Sequence, residues 1–265
     1  MEGGKILFRK AHHITPHEVV FSRENENVHG AIEKMLQSGF RRLPVADSSR
    51  GLVGLITAVD ILNFFLRTKE PAKESVRKAM ERSVYKFSKD ERLGKVAELF
   101  DMHRKGGYPV LENRRLYSII TEFDFLSIAR PRGIKVSEAM THRPMVIRPD
   151  VSLYDASRII VKGGTRRLPV VGRGLEGIIT PHDILHVLEE HDMRRAALFE
   201  NAVKAAMIKN VITVSPQEDV RHAASIIAKR RIGGIPVVEK GRLMGIITER
   251  DMFSLIKKGL DTGNG

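Results

Sequence analysis

Gly233-Gly-Ile-Pro-Val-Val-Glu-Lys-Gly-Arg-Leu-Met-Gly-Ile-Ile-Thr-Glu-Arg-Asp251 is the stretch that decides how this chain is organised. Ile235 to Val238 is a β-rich run, Lys240-Gly241 a two-residue hairpin signal, and Leu243 to Thr248 a returning strand. From Glu249 to Ile256 the pattern becomes helical. Upstream, Val220, Ala223, Ala224 and Ile227 mark the apolar face of another helix, with Pro216 and Asp219 at its start. Gly233-Gly234 is expected to end that helix, because glycine tolerates left-handed backbone. Asn210 to Ser215 adds a short strand in front. The predicted unit is strand, helix, strand, strand, helix.

The unit occurs four times. Pro-Val steps stand at Pro44-Val45, Pro109-Val110, Pro169-Val170 and Pro236-Val237, with the prolines 65, 60 and 67 residues apart. Eleven to thirteen residues after each proline comes Thr-x-x-Asp: Thr57/Asp60, Thr121/Asp124, Thr180/Asp183 and Thr248/Asp251. Repetition at this period means one supersecondary unit stacked on copies of itself. Counting 24 residues back from each proline reaches Val20, Tyr85, Met145 and Ile212, each expected in the first strand. Counting 13 back reaches Ala31, Ala156 and Ala223, with Val96 in repeat 2. One such unit buries too little surface alone, so repeats 1–2 and 3–4 are expected to share cores. The boundary falls at Ala129-Arg-Pro-Arg-Gly-Ile-Lys135, where Pro and Gly break the pattern. The expected domains are 1–130, with repeats at about 12–68 and 76–129, and 131–265, with repeats at about 136–188 and 203–258.

Composition narrows the class. The 265 residues are 42% apolar and lack cysteine, so disulfides and thiolate metal sites are excluded. No apolar run is long enough to span a bilayer, and Met1 to Lys5 lacks the apolar stretch of a secretory signal, so a cytoplasmic location without membrane insertion is expected. The formal charge of +13 fits first a solvated surface, its Lys and Arg being spread along the chain, then an acidic partner or phosphate ligand, and last nucleic acid. Against nucleic acid stand the low aromatic content of 6% and the lack of Trp.

The phrases Gly-Phe-Arg-Arg-Leu-Pro-Val (39–45), Gly-Gly-Thr-Arg-Arg-Leu-Pro-Val (163–170) and Arg-Ile-Gly-Gly-Ile-Pro-Val (231–237) resemble the CBS domain family. Gly-Leu-Ile-Thr-Ala-Val-Asp (54–60) and Gly-Ile-Ile-Thr-Glu-Arg-Asp (245–251) share that resemblance, which extends over about residues 12–258. It implies an α/β (α+β) fold of four repeats paired into two Bateman modules in a disc, similar to the γ regulatory subunit of AMP-activated protein kinase and to archaeal stand-alone CBS proteins. It also implies binding of AMP, ADP or ATP, or of S-adenosylmethionine, with no catalytic cofactor and no metal.

By this resemblance Asp60, Asp124, Asp183 and Asp251 hold ribose, and Thr57, Thr121, Thr180 and Thr248 touch phosphate. Val20, Tyr85, Met145 and Ile212 lie along the base. An ionised carboxylate accepts both hydroxyls of a cis-diol, and a hydroxyl at a helix start suits an anion. Thr-x-x-Asp is equally a relative of the helix capping box, so the spacing alone leaves ligand and cap both open. Three residues before proline stand Arg41 and Arg166 in repeats 1 and 3, each followed by a second arginine, against Gly106-Gly107 and Gly233-Gly234 in repeats 2 and 4. Arg41 and Arg166 are expected to supply phosphate charge, one Arg-Arg member to each pair. His182 reads as an exposed first-turn histidine, and Tyr108 as a packing residue. No Walker loop, zinc-protease helix or serine elbow is present, so an enzyme is not expected. The expected function is a nucleotide sensor signalling to a partner enzyme or transporter, with a homodimer as one assembly. The alternatives are a nucleic-acid-binding CBS protein and an S-adenosylmethionine-binding or ligand-free scaffold subunit.

Overall fold

The computed structural model describes residues 6–15, 18–103 and 105–261; the start at Met1 to Lys5 lies outside them. The sheet of each repeat is organised by the residue after proline. The first strand runs parallel to the second and meets it at the same place every time: Ser22 opposite Val45, Phe87 opposite Val110, Ile147 opposite Val170, and Val214 opposite Val237. The second and third strands form an antiparallel hairpin, and a bulge falls immediately after that same valine in all four copies. Proline lacks an N–H but keeps its carbonyl; the Pro169 and Pro236 carbonyls accept from Ile147 (3.0 Å) and Val214 (3.2 Å). Lys240 and Gly241, at φ 48° and 76°, make the expected two-residue turn between Glu239 and Arg242.

The first helices are Val28–Ser38, Leu93–His103, Leu153–Gly163 and Val220–Arg230. Asn27 caps the first of them through Gly30 N–H, Ser152 the third through Asp155 N–H, and Asp219 the fourth through Arg221 N–H. Gly39 (φ 70°) and Gly164 (φ 62°) turn the chain out of two of these helices. In repeat 4 the expectation is corrected: Arg231, at φ 52°, makes the left-handed turn. Gly234 already belongs to the strand Gly234–Glu239, because the hairpin recruits it opposite Thr248. The first strands are also shorter than expected. They comprise only Ser22–Arg23, Phe87–Ser88 and two single bridges. Val20, Tyr85, Met145 and Ile212 therefore sit in unpaired chain two residues ahead of them, before the parallel partner comes within reach.

Packing corrects a further expectation. The compact units are residues 20–84 with 145–211, and residues 1–19 with 85–144 and 212–265. The body of repeat 1 thus shares its core with repeat 3, and repeat 2 shares with repeat 4. In the first unit Ile32, Ile61, Phe65, Leu153, Ile160 and Leu188 belong to one buried cluster. In the second, Phe100, Tyr108, Phe125, Ile227 and Phe253 do the same. The reason lies in the helices. The second helix of repeat 1 (Ala58–Arg67) packs on both helices of repeat 3, and Glu122–Phe125 of repeat 2 packs on Glu249–Asp261 of repeat 4. The Arg-Arg repeats accordingly fall together in one unit and the Gly-Gly repeats in the other.

Neighbours in sequence are joined differently, by exchanging leader segments. Val76 N–H donates to Glu26 O and Val28 N–H to Glu74 O, both at 2.8 Å, so the leader of repeat 2 covers the first helix start of repeat 1. The leader of repeat 1 does the same for repeat 2, through Ala11 to Glu91 O and Leu93 to Arg9 O. Val203 with Val151 O and Leu153 with Asn201 O repeat this arrangement on repeat 3, as do Val136 with Glu218 O and Val220 with Ile134 O on repeat 4. The segment from His191 to Met207 contributes to the same unit: Met193, Ala197 and Leu198 are buried, and Phe199 is exposed.

Three leaders end against a glycine of a third strand; repeat 2 has Ser118 at that position. A Cβ on Gly54, Gly177 or Gly245 would stand 2.7–2.8 Å from the carbonyl oxygen of Glu81, Ile208 or Thr141, with the sulfur of Met80, Met207 or Met140 as close. Backbone cannot yield as a side-chain end can. Gly177→Ala is therefore expected to destabilise the chain by about 1–3 kcal/mol, read as a lower urea midpoint with an unchanged slope.

Candidate functional site

Each Thr-x-x-Asp motif lies where a third strand passes into a second helix. Thr57, Thr121 and Thr180 are N-caps with extended backbone at φ −118°, −129° and −127°. The four carboxylates make one arrangement. Asp60 Oδ2 accepts from Thr57 N–H (2.9 Å) and its hydroxyl (2.7 Å), and Asp124 Oδ2 from Thr121 at 2.6 and 2.8 Å. Asp183 Oδ2 accepts from Thr180 at 2.7 Å twice, and Asp251 Oδ2 from Thr248 at 2.8 and 2.7 Å. The threonine-to-carboxylate half of the cap is thus formed in all four repeats, and the full capping box at Thr57, Thr121 and Thr180. It does not exclude a ligand, because a carboxylate has a second oxygen and each of these boxes engages only Oδ2 with its threonine.

Asp183 carries the clearest electrostatic signature. Burial pushes its carboxyl above the usual 3.8, against the opposing pull of the Thr180 bonds and of His182 and His186. The hydrogen bonds of Asp183 among the described residues all fall on Oδ2. A carboxylate buried against its solvation preference is a recognised mark of functional sites.

The arginines are placed unequally. The Arg41 carbonyl accepts from Ala58 N–H at 3.0 Å, which fixes Arg41 beside the Thr57 box. Gly233 takes the same bond from Glu249 in repeat 4, at 3.1 Å. In repeat 3 the corresponding helix position is Pro181, which has no N–H to offer, so Arg166 lacks this tether. The base positions lie partly open. Tyr85 and Met145 are 54% and 47% exposed, Ile212 is 39% exposed and Val20 is half-buried. Two of them lie beside the end of their own first helix. The Tyr85 ring stacks on His103 at 4.2 Å, and Met145 covers Gly163, where a Cβ would stand 2.9 Å from its methyl carbon. Tyr108 is a packing residue: its ring is buried among Phe87 and Phe100, and its hydroxyl donates to Leu99 O at 3.2 Å.

His182 overturns its sequence reading. It is half-buried, and its Nε2 lies 3.3 Å from Met35 O, in the first helix of repeat 1. Burial, with His186 and Arg41 nearby, holds its pKa below 6.5, although the Met35 bond and Asp183 pull the other way. Arg250, the corresponding residue of repeat 4, was not singled out by the sequence. Its Nε pairs with the buried Glu122 at 2.5 Å, and its Nη1 donates to Phe100 O at 3.3 Å. No spacing rule marks either residue, because each acts on a repeat more than a hundred residues away.

A pH prediction follows for Asp183. A carboxyl whose folded pKa is raised stabilises most below its ordinary 3.8, and that contribution is lost as pH rises through the folded value. Relative to Asp183→Asn, the wild-type chain should lose stability between about pH 4 and pH 7. Paired denaturant midpoints across that range measure it, and a wild-type midpoint that holds or rises relative to Asp183→Asn as pH rises contradicts the burial.

Residues 12–67, 76–130, 136–190 and 203–258 each match the CBS domain. Among curated proteins, an uncharacterised protein of Methanocaldococcus jannaschii, MJ1225, is 30% identical over 251 residues, spanning 84% of this chain and 90% of its own length. A 33.4 kDa protein from a ribosomal RNA operon of Thermofilum pendens is 28% identical, spanning 82% and 81%. The crystal structure of MJ1225, described as a candidate archaeal homologue of g-AMPK, superposes with a TM-score of 0.85 at 27% identity, covering 93% of this chain and 99% of that one. An uncharacterised conserved protein of Pyrococcus horikoshii shares the fold, with a TM-score of 0.62 at 20% identity over 94% of this chain and 100% of that one. Four matched repeats occupying nearly the whole sequence place this chain in the CBS domain family.

Proposed function

We propose that this chain is a regulatory adenine-nucleotide-binding protein without catalytic activity, and that occupancy by AMP, ADP or ATP is signalled to a partner enzyme or transporter. The observation that carries the proposal is the fourfold Thr–Asp box, in which the carboxylate is fixed through Oδ2 and so oriented before any ligand arrives. The other oxygen of Asp183 suits a ribose diol, and the adjoining helix start suits phosphate. Kinship with MJ1225, described as a candidate g-AMPK homologue, supports the same ligand class. Energy sensing in the cytoplasm is the corresponding role. No helix among the described residues is long and apolar enough to cross a membrane.

We take residues 1–130 and 131–265 as the two ligand modules, because each leader caps the first helix of its neighbour in sequence. Arg41 supplies phosphate charge at repeat 1. For signalling, the ligand must bind two arrangements of the repeats unequally, since affinity alone shifts nothing.

Thermal unfolding with AMP, ADP, ATP and S-adenosylmethionine tests the proposal. A nucleotide at a hundred times its dissociation constant should stabilise the chain by roughly 2.7 kcal/mol, and the double variant Asp183→Ala, Asp251→Ala should lose most of that gain. A response to S-adenosylmethionine alone reassigns the ligand. Steeply salt-dependent binding of oligonucleotides without any nucleotide effect would favour a nucleic-acid role instead. Arg41→Ala should weaken ATP more than AMP, by roughly tenfold if one charge-assisted bond to the outer phosphates is lost, as calorimetric titration would report.

A further inference from the structure

The residue immediately before each candidate ribose carboxylate is Val59, Phe123, His182 or Arg250. The two polar ones do the same thing in different units. His182 lies 3.3 Å from the Met35 carbonyl, and Arg250 donates to the Phe100 carbonyl at 3.3 Å. Met35 and Phe100 occupy equivalent places, each nine residues before the proline of its repeat. Both carbonyls open the last turn of a first helix, at Val28–Ser38 and Leu93–His103. Last-turn carbonyls have no backbone N–H partner within their own helix; at Met35 the Ser38 hydroxyl comes only to 3.5 Å, so both carbonyls can accept from a side chain of another repeat. The same contact has thus been built twice, with different side chains, from the later repeat of each unit to the earlier one.

We propose that His182 and Arg250 are positioning residues: each fastens the helix start bearing one candidate ribose carboxylate to the first helix of another repeat, coupling repeat 3 to repeat 1 and repeat 4 to repeat 2. The proposal rests on the nucleotide reading above for what is coupled, but not for the fastening itself. In the unit of repeats 1 and 3, the helix held by His182 ends just before Gly39-Phe40-Arg41, so its last turn sets where Arg41 begins. Arg41, Asp183 and His186 all lie within electrostatic reach of His182, which therefore neighbours both the arginine assigned to phosphate in one repeat and the carboxylate of another. In the unit of repeats 2 and 4, Arg250 is also held by Glu122, whose side chain is 2% exposed. One fastening titrates and the other does not. A depressed imidazole pKa means that the His182 contribution is complete above 6.5 and lost as pH falls through the folded value. The guanidinium stays charged throughout.

The test uses the full chain with His182→Gln, which keeps an N–H donor at similar reach without titrating, His182→Ala, Arg250→Lys and Arg250→Met. At about pH 7.5, His182→Ala should lower Tm by about 2–4 °C, and His182→Gln should stay near wild type. On acidification to about pH 5.5, wild type should lose stability relative to His182→Gln. Arg250→Met should lower Tm at both pH values, because it removes the guanidinium paired with a buried carboxylate, and Arg250→Lys should recover part of the loss. Equal behaviour of His182→Ala and His182→Gln at both pH values overturns the fastening. For coupling, ATP is titrated into Asp183→Ala with and without His182→Ala; the second change should weaken the remaining binding by roughly fivefold or more. Unchanged affinity alongside a lowered Tm would reduce His182 to a packing residue. If ATP binds no variant, the nucleotide reading fails, while the Tm and pH series still decides the fastening.

Discussion

Two helices flanking a small sheet carry more apolar face than that sheet can cover, and this shortage governs the whole molecule. A unit of this size exposes a large share of what it must bury. The second helix of repeat 1 leaves Ile61, Leu62, Phe64 and Phe65 to be covered, and repeat 3 covers them with Leu153, Ile160 and Leu188. Repeats 2 and 4 meet through Phe100, Phe125 and Phe253, whose rings lie 5.1–6.1 Å apart, mostly edge to face. The first helix starts present a second, polar shortage. Their leading N–H groups need acceptors, and the leaders of neighbouring repeats provide them in four near-identical pairs of bonds.

The candidate site inherits its geometry from these demands. A Thr–Asp box exists because a strand turns into a helix there and the first turn must be capped. The same cap holds a carboxylate at the edge of a packed helix pair, partly withdrawn from water. Stability and binding are therefore not competing explanations of Thr-x-x-Asp in this protein. One oxygen belongs to the fold, and the cap that engages it decides which way the other faces.

What could be seen in the sequence is what is local. The repeat order, the Lys240-Gly241 turn and the helix start at Asp219 depend on residues a few positions apart, and each is in place. The first strands were overestimated at Val20, Tyr85, Met145 and Ile212, because a β-rich run becomes a strand only where a partner lies alongside. The helix end at Arg231 was missed because a non-glycine residue took the left-handed turn with two glycines close by. Which repeats share a core was invisible for a deeper reason: four copies of one apolar pattern are equally complementary to one another. His182 and Arg250 were obscured by the same degeneracy, since their partners lie on whichever repeat the core selects.

The crossed arrangement of cores and leaders also sets an order of assembly during synthesis. Residues 20–84 emerge from the ribosome with their helices bare, and their covering surface is not made until residues 145–211 follow. The other unit waits longer still, because it needs residues 212–265. Until then the nascent chain carries exposed apolar helix faces, a state that favours aggregation or holding by a chaperone. A chain halted near its midpoint would meet that need by pairing its repeats with those of a second copy, so the duplicated sequence acts as an internal substitute for a dimer.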